Sequence, residues 1–149
     1  MVEVAVIYGS SSDEEVMQGA CDTLKEFGIE YEHMVLSAHR QPEETAQFAR
    51  TAASRGLKII IAGAGLSAAL PGVIASHTTL PVIGVPIGGG QLNGIDALYS
   101  IVQMPKGIPV ATVGISNTKN AALLAVQILA LADEHLTDKL ADYRRKLKS

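Results

Sequence analysis

Short apolar runs alternate with amphipathic stretches along the whole chain. The runs are rich in valine and isoleucine, and most are followed closely by glycine, serine or proline. Continuous apolar runs of this length are typical of buried parallel strands. They predict strands at residues 4–8, 31–36, 58–62, 81–85 and 110–115.

The stretches between these runs have helical spacing. In the first of them Met17, Cys21 and Leu24 fall on one apolar stripe, Glu14 lies in the first turn, and Gly28 ends the helix. Polar residues before an apolar stripe and glycine after it are ordinary signals for the two ends of a helix. The predicted helices cover residues 14–27, 42–55, 70–76, 95–104, 117–131 and 134–147.

The alternation of strand and helix predicts an α/β fold, a doubly wound parallel sheet with helices on both faces. The sequence has no linker, repeat or low-complexity stretch, so residues 1–149 form one domain. In such sheets ligands bind beyond the carboxyl ends of the strands, where the strand order reverses.

The amino-acid composition restricts the kinds of partner that the protein can have. Hydrophobic residues make up 48% of the chain and charged residues only 18%, which predicts that part of the apolar surface lies in a subunit interface. The formal net charge of −3 argues against a nucleic-acid partner, which would favour a basic surface.

Cys21 is the only cysteine, so no internal disulfide can form. It is either a buried thiol on the helix stripe or a nucleophile. The strand pattern begins directly after Met1, and no apolar run is suited to span a bilayer. We therefore expect a cytoplasmic protein with no membrane partner.

The loops after the first four predicted strands are all glycine-rich or small and polar. They cover residues 9–13, 37–40, 63–65 and 88–90. In the first loop, hydroxyls and backbone N–H groups meet at a helix N-terminus, which suits a phosphate. Capping of the helix by Ser10, Ser11 or Ser12 would explain the same residues. The loop has neither the Walker pattern nor the dinucleotide-binding glycine pattern.

His39 and Arg40 supply the candidate chemistry of the second loop. Arg40 could hold a phosphate or carboxylate through two hydrogen bonds, or it could be a solvated residue before a helix. His39 is either structural or a proton shuttle. A lone histidine is more often structural, but a place at the carboxyl end of a strand beside an arginine supports the proton shuttle. The other histidines, His33, His77 and His135, do not have metal-site spacing.

Several motifs, in this order, resemble the PurE family of N5-carboxyaminoimidazole ribonucleotide mutases over almost the whole chain. They are Gly-Ser-x-Ser-Asp at residues 9–13, Ser-Ala-His-Arg at 37–40, Ala-Gly-Ala-Gly at 62–65, Leu-Pro-Gly at 70–72, Leu-Pro-Val-Ile-Gly-Val-Pro at 80–86, Ser-Ile-Val-Gln-Met-Pro at 100–105 and Asn-Ala-Ala-Leu-Leu-Ala at 120–125.

The resemblance implies a flavodoxin-like three-layer α/β/α sandwich with a five-stranded parallel sheet and a C-terminal helix. It also implies a homo-octamer with active sites near subunit boundaries. The implied enzyme is an isomerase of purine (IMP) synthesis that uses neither metal nor organic cofactor. It would move a carboxylate from the exocyclic nitrogen to C4 of aminoimidazole ribonucleotide, with CO2 as a transient intermediate.

The resemblance also assigns roles to individual residues. His39 would be the general acid/base that moves the C4 proton, and Arg40 a phosphate contact. The remaining substrate-binding residues implied by the matching motifs are Ser10, Ser12, Asp13, Ser37, Ala38, Gly63, Ala64, Gly65, Ser67 and Leu70. Of these, Ser10, Ser12 and Asp13 would bind ribose and phosphate, and the loop from Gly63 to Leu70 would form a backbone cradle around the ring and its carboxylate.

The third loop departs from the family pattern. Ala69 stands where histidine is common, and Leu66 replaces a small residue. Three alternatives to the mutase therefore stay open. They are direct carboxylation of aminoimidazole ribonucleotide by free CO2, a PurE-like enzyme for another heteroaromatic mononucleotide, and a flavin- or nucleotide-binding module without catalysis. The flavin module is disfavoured by an aromatic content of 4% and the absence of tryptophan.

Overall fold

In the computed structural model, which describes residues 1–149, five parallel strands form one sheet with the order β2-β1-β3-β4-β5. The strands are β1 (Val4–Tyr8), β2 (Tyr31–Val35), β3 (Ile59–Ala64), β4 (Val82–Pro86) and β5 (Ala111–Thr112). The helices are α1 (Glu14–Glu26), α2 (Pro42–Ala52), α3 (Leu70–His77), α4 (Ile95–Val102), α5 (Thr118–Ala130) and α6 (Glu134–Leu147). This is the flavodoxin-like strand order, so the predicted fold is confirmed.

Alternate residues of the central strands bury into two separate cores. In β1, Val4 and Val6 face a core completed by α1, α5 and α6, whereas Ala5 and Ile7 face one completed by α2, α3 and α4. All of these strand residues are fully buried. The two cores make the sandwich three-layered. Cys21 is buried in the first core, which confirms its place on the apolar stripe of α1.

Two of the predicted strands have a boundary that is wrong by more than one residue. The third strand was expected to end at Ala62, but β3 continues through Gly63 and Ala64, which pair with Val85 and Pro86 of β4. Gly63 and Ala64 were assigned to a loop because small residues occur both in glycine-rich loops and in closely packed strands. The fifth strand was expected over residues 110–115, but β5 has only two residues. Beyond it the backbone turns at Ser116, whose φ is +57°.

Two helices end at least two residues before their predicted ends. The helix expected to reach residue 55 ends at Ala52, and the one expected to reach residue 104 ends at Val102. In each case the chain turns away with a backbone hydrogen bond to the last helical turn, from Leu57 to Ala52 and from Gln103 to Tyr99. None of the helices is both long and apolar enough to span a membrane.

The strand order reverses between β1 and β3. The chain leaves β1 for β2 on one side and later enters β3 on the other side. The loops that follow β1 and β3 therefore diverge and open a crevice at the carboxyl edge of the sheet.

Candidate active site

A cavity of about 610 Å³ occupies this crevice. It is lined by the loops that follow the first four strands, namely by Gly9, Ser10, Ser12, Asp13, Ser37, Ala38, His39, Arg40, Ala64, Gly65, Leu66, Ser67, Ala69, Leu70, Ile87, Gly88, Gly89 and Gly90. Every residue that the sequence assigned to the site is on this wall except Gly63. The volume is in the range of small-molecule sites.

Gly63 lies inside the sheet instead. It is buried in β3, and a Cβ built on it would collide with the side chain of Met17 and lie 3.1 Å from Ile87 Cδ1. The absence of a side chain lets Met17 of α1 pack directly against the strand. Gly63 thus serves the packing of α1 on the sheet, and the cradle expected at residues 63–70 begins at Ala64.

The loop after β1 is held by its own serines. Ser10 precedes a 3₁₀ turn (Ser11–Asp13), and its Oγ accepts a hydrogen bond from the Ser12 backbone N–H at 3.3 Å. The Ser10 and Ser12 hydroxyl oxygens are 2.9 Å apart. The capping that the sequence offered as an alternative is therefore present, and both serines still line the cavity. Capping and ligand binding are compatible at this position.

Asp13 brings a carboxyl group to the same loop. Burial raises the pKa of the Asp13 carboxyl above its ordinary value, because partial removal from water disfavours the charged form. Its side chain has no hydrogen-bond donor within the chain at the helix start. A ligand hydroxyl that donated to this carboxylate would supply the hydrogen bond that water no longer fully provides.

Arg40 connects the second loop to the first. The Ser37 Oγ accepts from the Arg40 backbone N–H at 3.1 Å and from Arg40 Nε at 3.3 Å. Arg40 Nη2 donates to the Gly9 carbonyl oxygen at 3.4 Å. These bonds fix the guanidinium at the rim of the cavity. Arg40 takes part in none of the ion pairs of the chain, so its positive charge is available to an anion.

His39 lies just before this arginine and lines the cavity with its side chain exposed. No hydrogen bond within the chain occupies its imidazole, so both ring nitrogens are open to a ligand. Imidazole exchanges protons near neutral pH, which makes it the best acid/base candidate on the wall. No three groups among His, Cys, Asp and Glu are placed to hold a metal ion.

The loop after β3 offers a row of free backbone donors. The N–H groups of Gly65, Leu66 and Ser67 have no acceptor within the chain, whereas those of Ala68 and Ala69 bond to Leu66 and Ser67 carbonyls at 2.8 and 2.7 Å. Leu66 has a φ of +50°. Successive N–H groups around a left-handed residue form a concavity that attracts anions.

The loop after β4 completes the wall, although no residue of it was assigned to the site from the sequence. Gly88 is held by a hydrogen bond from its N–H to Ser116 Oγ at 2.9 Å. A Cβ on Gly89 would meet nothing within 4 Å, so the backbone here faces open space. The sequence did place residues 88–90 at the ligand edge of the sheet, by the rule that ligands bind at the carboxyl ends of strands, but it gave none of them a binding role. Leu66 and Ala69, which the sequence marked as departures from the family pattern, both line the cavity. Ile87 was missed as a lining residue, because an apolar residue type carries no chemical signal.

The chain is similar to known proteins over almost its whole length. A family model described as AIR carboxylase matches residues 3–149. The N5-carboxyaminoimidazole ribonucleotide mutase of Saccharolobus solfataricus is 54% identical over 149 residues, covering 100% of this chain and 94% of that protein. The protein of the same name from Aquifex aeolicus is 59% identical over 144 residues, covering 97% of this chain and 82% of its own. The crystal structure of Treponema denticola PurE matches with a TM-score of 0.89 at 33% identity, covering 99% of this chain and 92% of that one.

Proposed function

Because this chain belongs to the AIR carboxylase family, which includes PurE, we propose that it is an N5-carboxyaminoimidazole ribonucleotide mutase of purine biosynthesis. The observation that carries the proposal is a single cavity lined by three features. They are a serine-rich loop at a helix N-terminus, an arginine without an ion-pair partner, and a histidine whose ring makes no hydrogen bond within the chain. A nucleotide needs the first two, and the movement of a proton on its ring needs the third.

The phosphate and ribose would occupy the end of the cavity formed by the first two loops. Arg40 offers a fixed guanidinium, and Ser10 and Ser12 offer hydroxyls at the start of a helical turn. Helix N-termini favour anions because their N–H groups are unpaired. The Asp13 carboxylate would accept hydrogen bonds from ribose hydroxyls. This remote binding would fix the base relative to His39.

The third loop would hold the carboxylate. The unpaired N–H groups of residues 65–67 suit its negative charge, and Ala64 and Leu70 border them with apolar surface. A mostly apolar wall also suits CO2, which is uncharged and would otherwise escape into water. Ser67 adds a hydroxyl beside these donors.

His39 would carry the proton of the reaction. When the bond between the exocyclic nitrogen and the carboxylate carbon breaks, the nitrogen takes up a proton and CO2 forms. When C4 attacks CO2, a carbon–carbon bond forms and the C4 proton leaves. One proton is consumed and one released, so a single acid/base group balances the reaction.

We also propose that the protein works as a homo-octamer. An apolar stripe on and just before α4 faces solvent, formed by Leu92, Ile95, Tyr99 and Val102, and the side chain of Tyr99 is 62% exposed. Spacings of four and three residues place Ile95, Tyr99 and Val102 on one face of α4, and Leu92 lies just before it. Because the stripe has no charged side chain, we expect it to pack against the same stripe or another apolar surface of a second copy of this chain.

The direct test is an assay of the purified protein with two substrates in parallel. One reaction contains N5-carboxyaminoimidazole ribonucleotide, and the other contains aminoimidazole ribonucleotide with bicarbonate. The proposal predicts fast formation of the C4-carboxylated product from the first and slow formation from the second. The reverse preference would identify a carboxylase that uses free CO2. Turnover of neither would point to another heteroaromatic mononucleotide and would refute the mutase assignment.

A further inference from the structure

Leu66 has a backbone conformation that leucine rarely adopts. Its φ of +50° lies in the left-handed region, where the Cβ atom crowds the backbone. The other non-glycine residues with positive φ are Asn93 and Ser116, and asparagine is one of the types that tolerate this region better than leucine. The Leu66 side chain is 60% exposed, so burial in a core does not offset the strain. Strain of this kind is concentrated at functional sites.

The Leu66 side chain reaches from the third loop to the fourth. A Cβ built on Gly90 would lie 2.8 Å from Leu66 Cδ2, so the leucine methyl group rests directly on the glycine backbone. Gly90 itself has a φ of +69°. The positive φ at residue 90 therefore favours glycine, and any Cβ there would displace the Leu66 methyl group. The pair forms an apolar connection between two loops that line the same cavity.

The surroundings of this pair are suited to a small ligand that loses its charge. The free N–H groups of Gly65, Leu66 and Ser67 attract a carboxylate. Hydrogen bonds to an ionised acceptor are much stronger than those to a neutral one, so the same donors hold CO2 only weakly. After decarboxylation, retention depends on apolar bulk that blocks the exit.

We propose that the side chain of Leu66, held over Gly90, retains CO2 in the cavity between the two bond-changing steps. The inference rests on the proposed mutase activity. In this interval the carbon–nitrogen bond has broken, the nitrogen has gained its proton, and C4 still carries its own. Leu66 takes no proton and forms no bond. It keeps CO2 beside C4 and excludes water until C4 attacks.

The test follows the fate of the carboxylate carbon. N5-carboxyaminoimidazole ribonucleotide labelled with ¹³C in its carboxylate is converted in unlabelled bicarbonate with carbonic anhydrase, so that escaped CO2 is diluted at once. Mass spectrometry measures the label kept in the product, and chromatography measures released aminoimidazole ribonucleotide, with the uncatalysed decay subtracted. The proteins compared are the wild type, Leu66→Gly, Leu66→Ala, Leu66→Met and Leu131→Ala. Leu131 is a leucine that is 88% exposed and lies outside the cavity.

We expect Leu66→Gly and Leu66→Ala to release at least about threefold more aminoimidazole ribonucleotide per product, with a matching loss of label. Leu66→Met keeps the apolar bulk and should retain label as the wild type does, and Leu131→Ala should be unchanged. Leu66→Gly relieves the backbone strain, so folding is not endangered. Thermal unfolding checks this for each variant.

Two results would overturn the inference while leaving the mutase assignment intact. One is full retention of label in both Leu66→Gly and Leu66→Ala. The other is leakage from Leu66→Gly alone, which would assign the effect to backbone freedom and not to the side chain. A wild type that forms no product from the substrate would instead refute the mutase proposal, and this inference would fall with it.

Discussion

The guanidinium of Arg40 and the carbonyl oxygen of Gly9 are joined by a hydrogen bond of 3.4 Å from Nη2. The bond connects the loop after β2 to the loop after β1, and Ser37 Oγ holds the same side chain through Nε. The remaining N–H groups of the guanidinium are free for a phosphate. The end of the cavity where we propose that the phosphate binds therefore presents a planar side chain held at two points.

Substitution of Arg40 by lysine should weaken nucleotide binding. Lysine keeps the charge but cannot bond to Gly9, Ser37 and a phosphate at once. Loss of one charge-assisted hydrogen bond corresponds to roughly a tenfold to hundredfold rise in Kd. Calorimetry with the carboxylated product measures this change. Arg50→Lys, on the exposed side of α2, is the matched control. Equal affinities for Arg40→Lys and the wild type would remove Arg40 from the binding site.

Asp13 should make stability depend on pH in a defined direction. Because burial raises the pKa of its carboxyl, the folded state binds the proton more tightly than the unfolded state does. The contribution of Asp13 to the free energy of unfolding is therefore fully present below the pKa of an unfolded aspartate. It is lost as the pH rises through the higher pKa of the folded state. Asp13→Asn should unfold at a higher temperature than the wild type at neutral pH, and the difference should shrink as pH falls towards about 4. Asp138→Asn, an exposed site on α6, should show no such trend.

A difference in unfolding temperature that was constant with pH, or that had the opposite sign, would contradict the assigned burial of Asp13. The same substitution should weaken binding of the ribonucleotide, because an amide is a poorer acceptor than a carboxylate. Higher stability with weaker binding is the pattern expected of a functional residue.

Gly63→Ala should destabilise the fold. The added methyl group would enter the space of Met17 and approach Ile87, and both side chains are buried. Overpacking of this kind costs about 1–3 kcal/mol. Urea unfolding at fixed protein concentration measures the loss. Gly114→Ala is the control, since a Cβ there would have only an ordinary contact of 3.8 Å with Asn117. An unchanged midpoint for Gly63→Ala would mean that α1 does not pack on β3 as described.

Tyr99→Asp should reduce the size of the assembly. Tyr99 is central to the exposed apolar stripe of α4, and a charge there could not be desolvated between subunits without a large penalty. Sedimentation at micromolar concentration should give an octamer for the wild type and smaller species for the variant. Gln47→Asp, which adds the same charge on α2, controls for net charge. A monomeric wild type would refute the octamer, and an octameric Tyr99→Asp would remove α4 from the interface.

Much of the fold could be predicted from the sequence because local and tertiary preferences agree. The run from Val4 to Tyr8 is apolar throughout and is buried on both faces of the sheet, and the polar segment after it starts a helix. The alternation of such units leaves few topologies. The loops that meet at the carboxyl edge of the sheet then follow from the direction of the strands, which is how Ser10, His39 and Arg40 could be found together.

The sequence was less informative where a residue type serves two purposes. Gly63 resembles a loop residue, but its role depends on Met17, which is distant in the chain. The short β5 could not be foreseen, because the turn at Ser116 has no glycine at its positive φ. Leu66 gave no signal for a left-handed conformation, since leucine avoids it. All of these features are set by tertiary contacts and not by local propensity.

We propose that this crevice is the active site and that His39 moves the proton of the reaction. The most direct measurement is the rate of conversion of N5-carboxyaminoimidazole ribonucleotide by His39→Asn, with product affinity measured by calorimetry on the same protein. His33→Asn, an exposed histidine on β2 outside the cavity, is the control. We expect kcat of His39→Asn to fall about 10²–10⁴-fold with affinity nearly unchanged, because the phosphate contacts remain. A wild-type kcat in His39→Asn would show that His39 does not move the proton of the reaction.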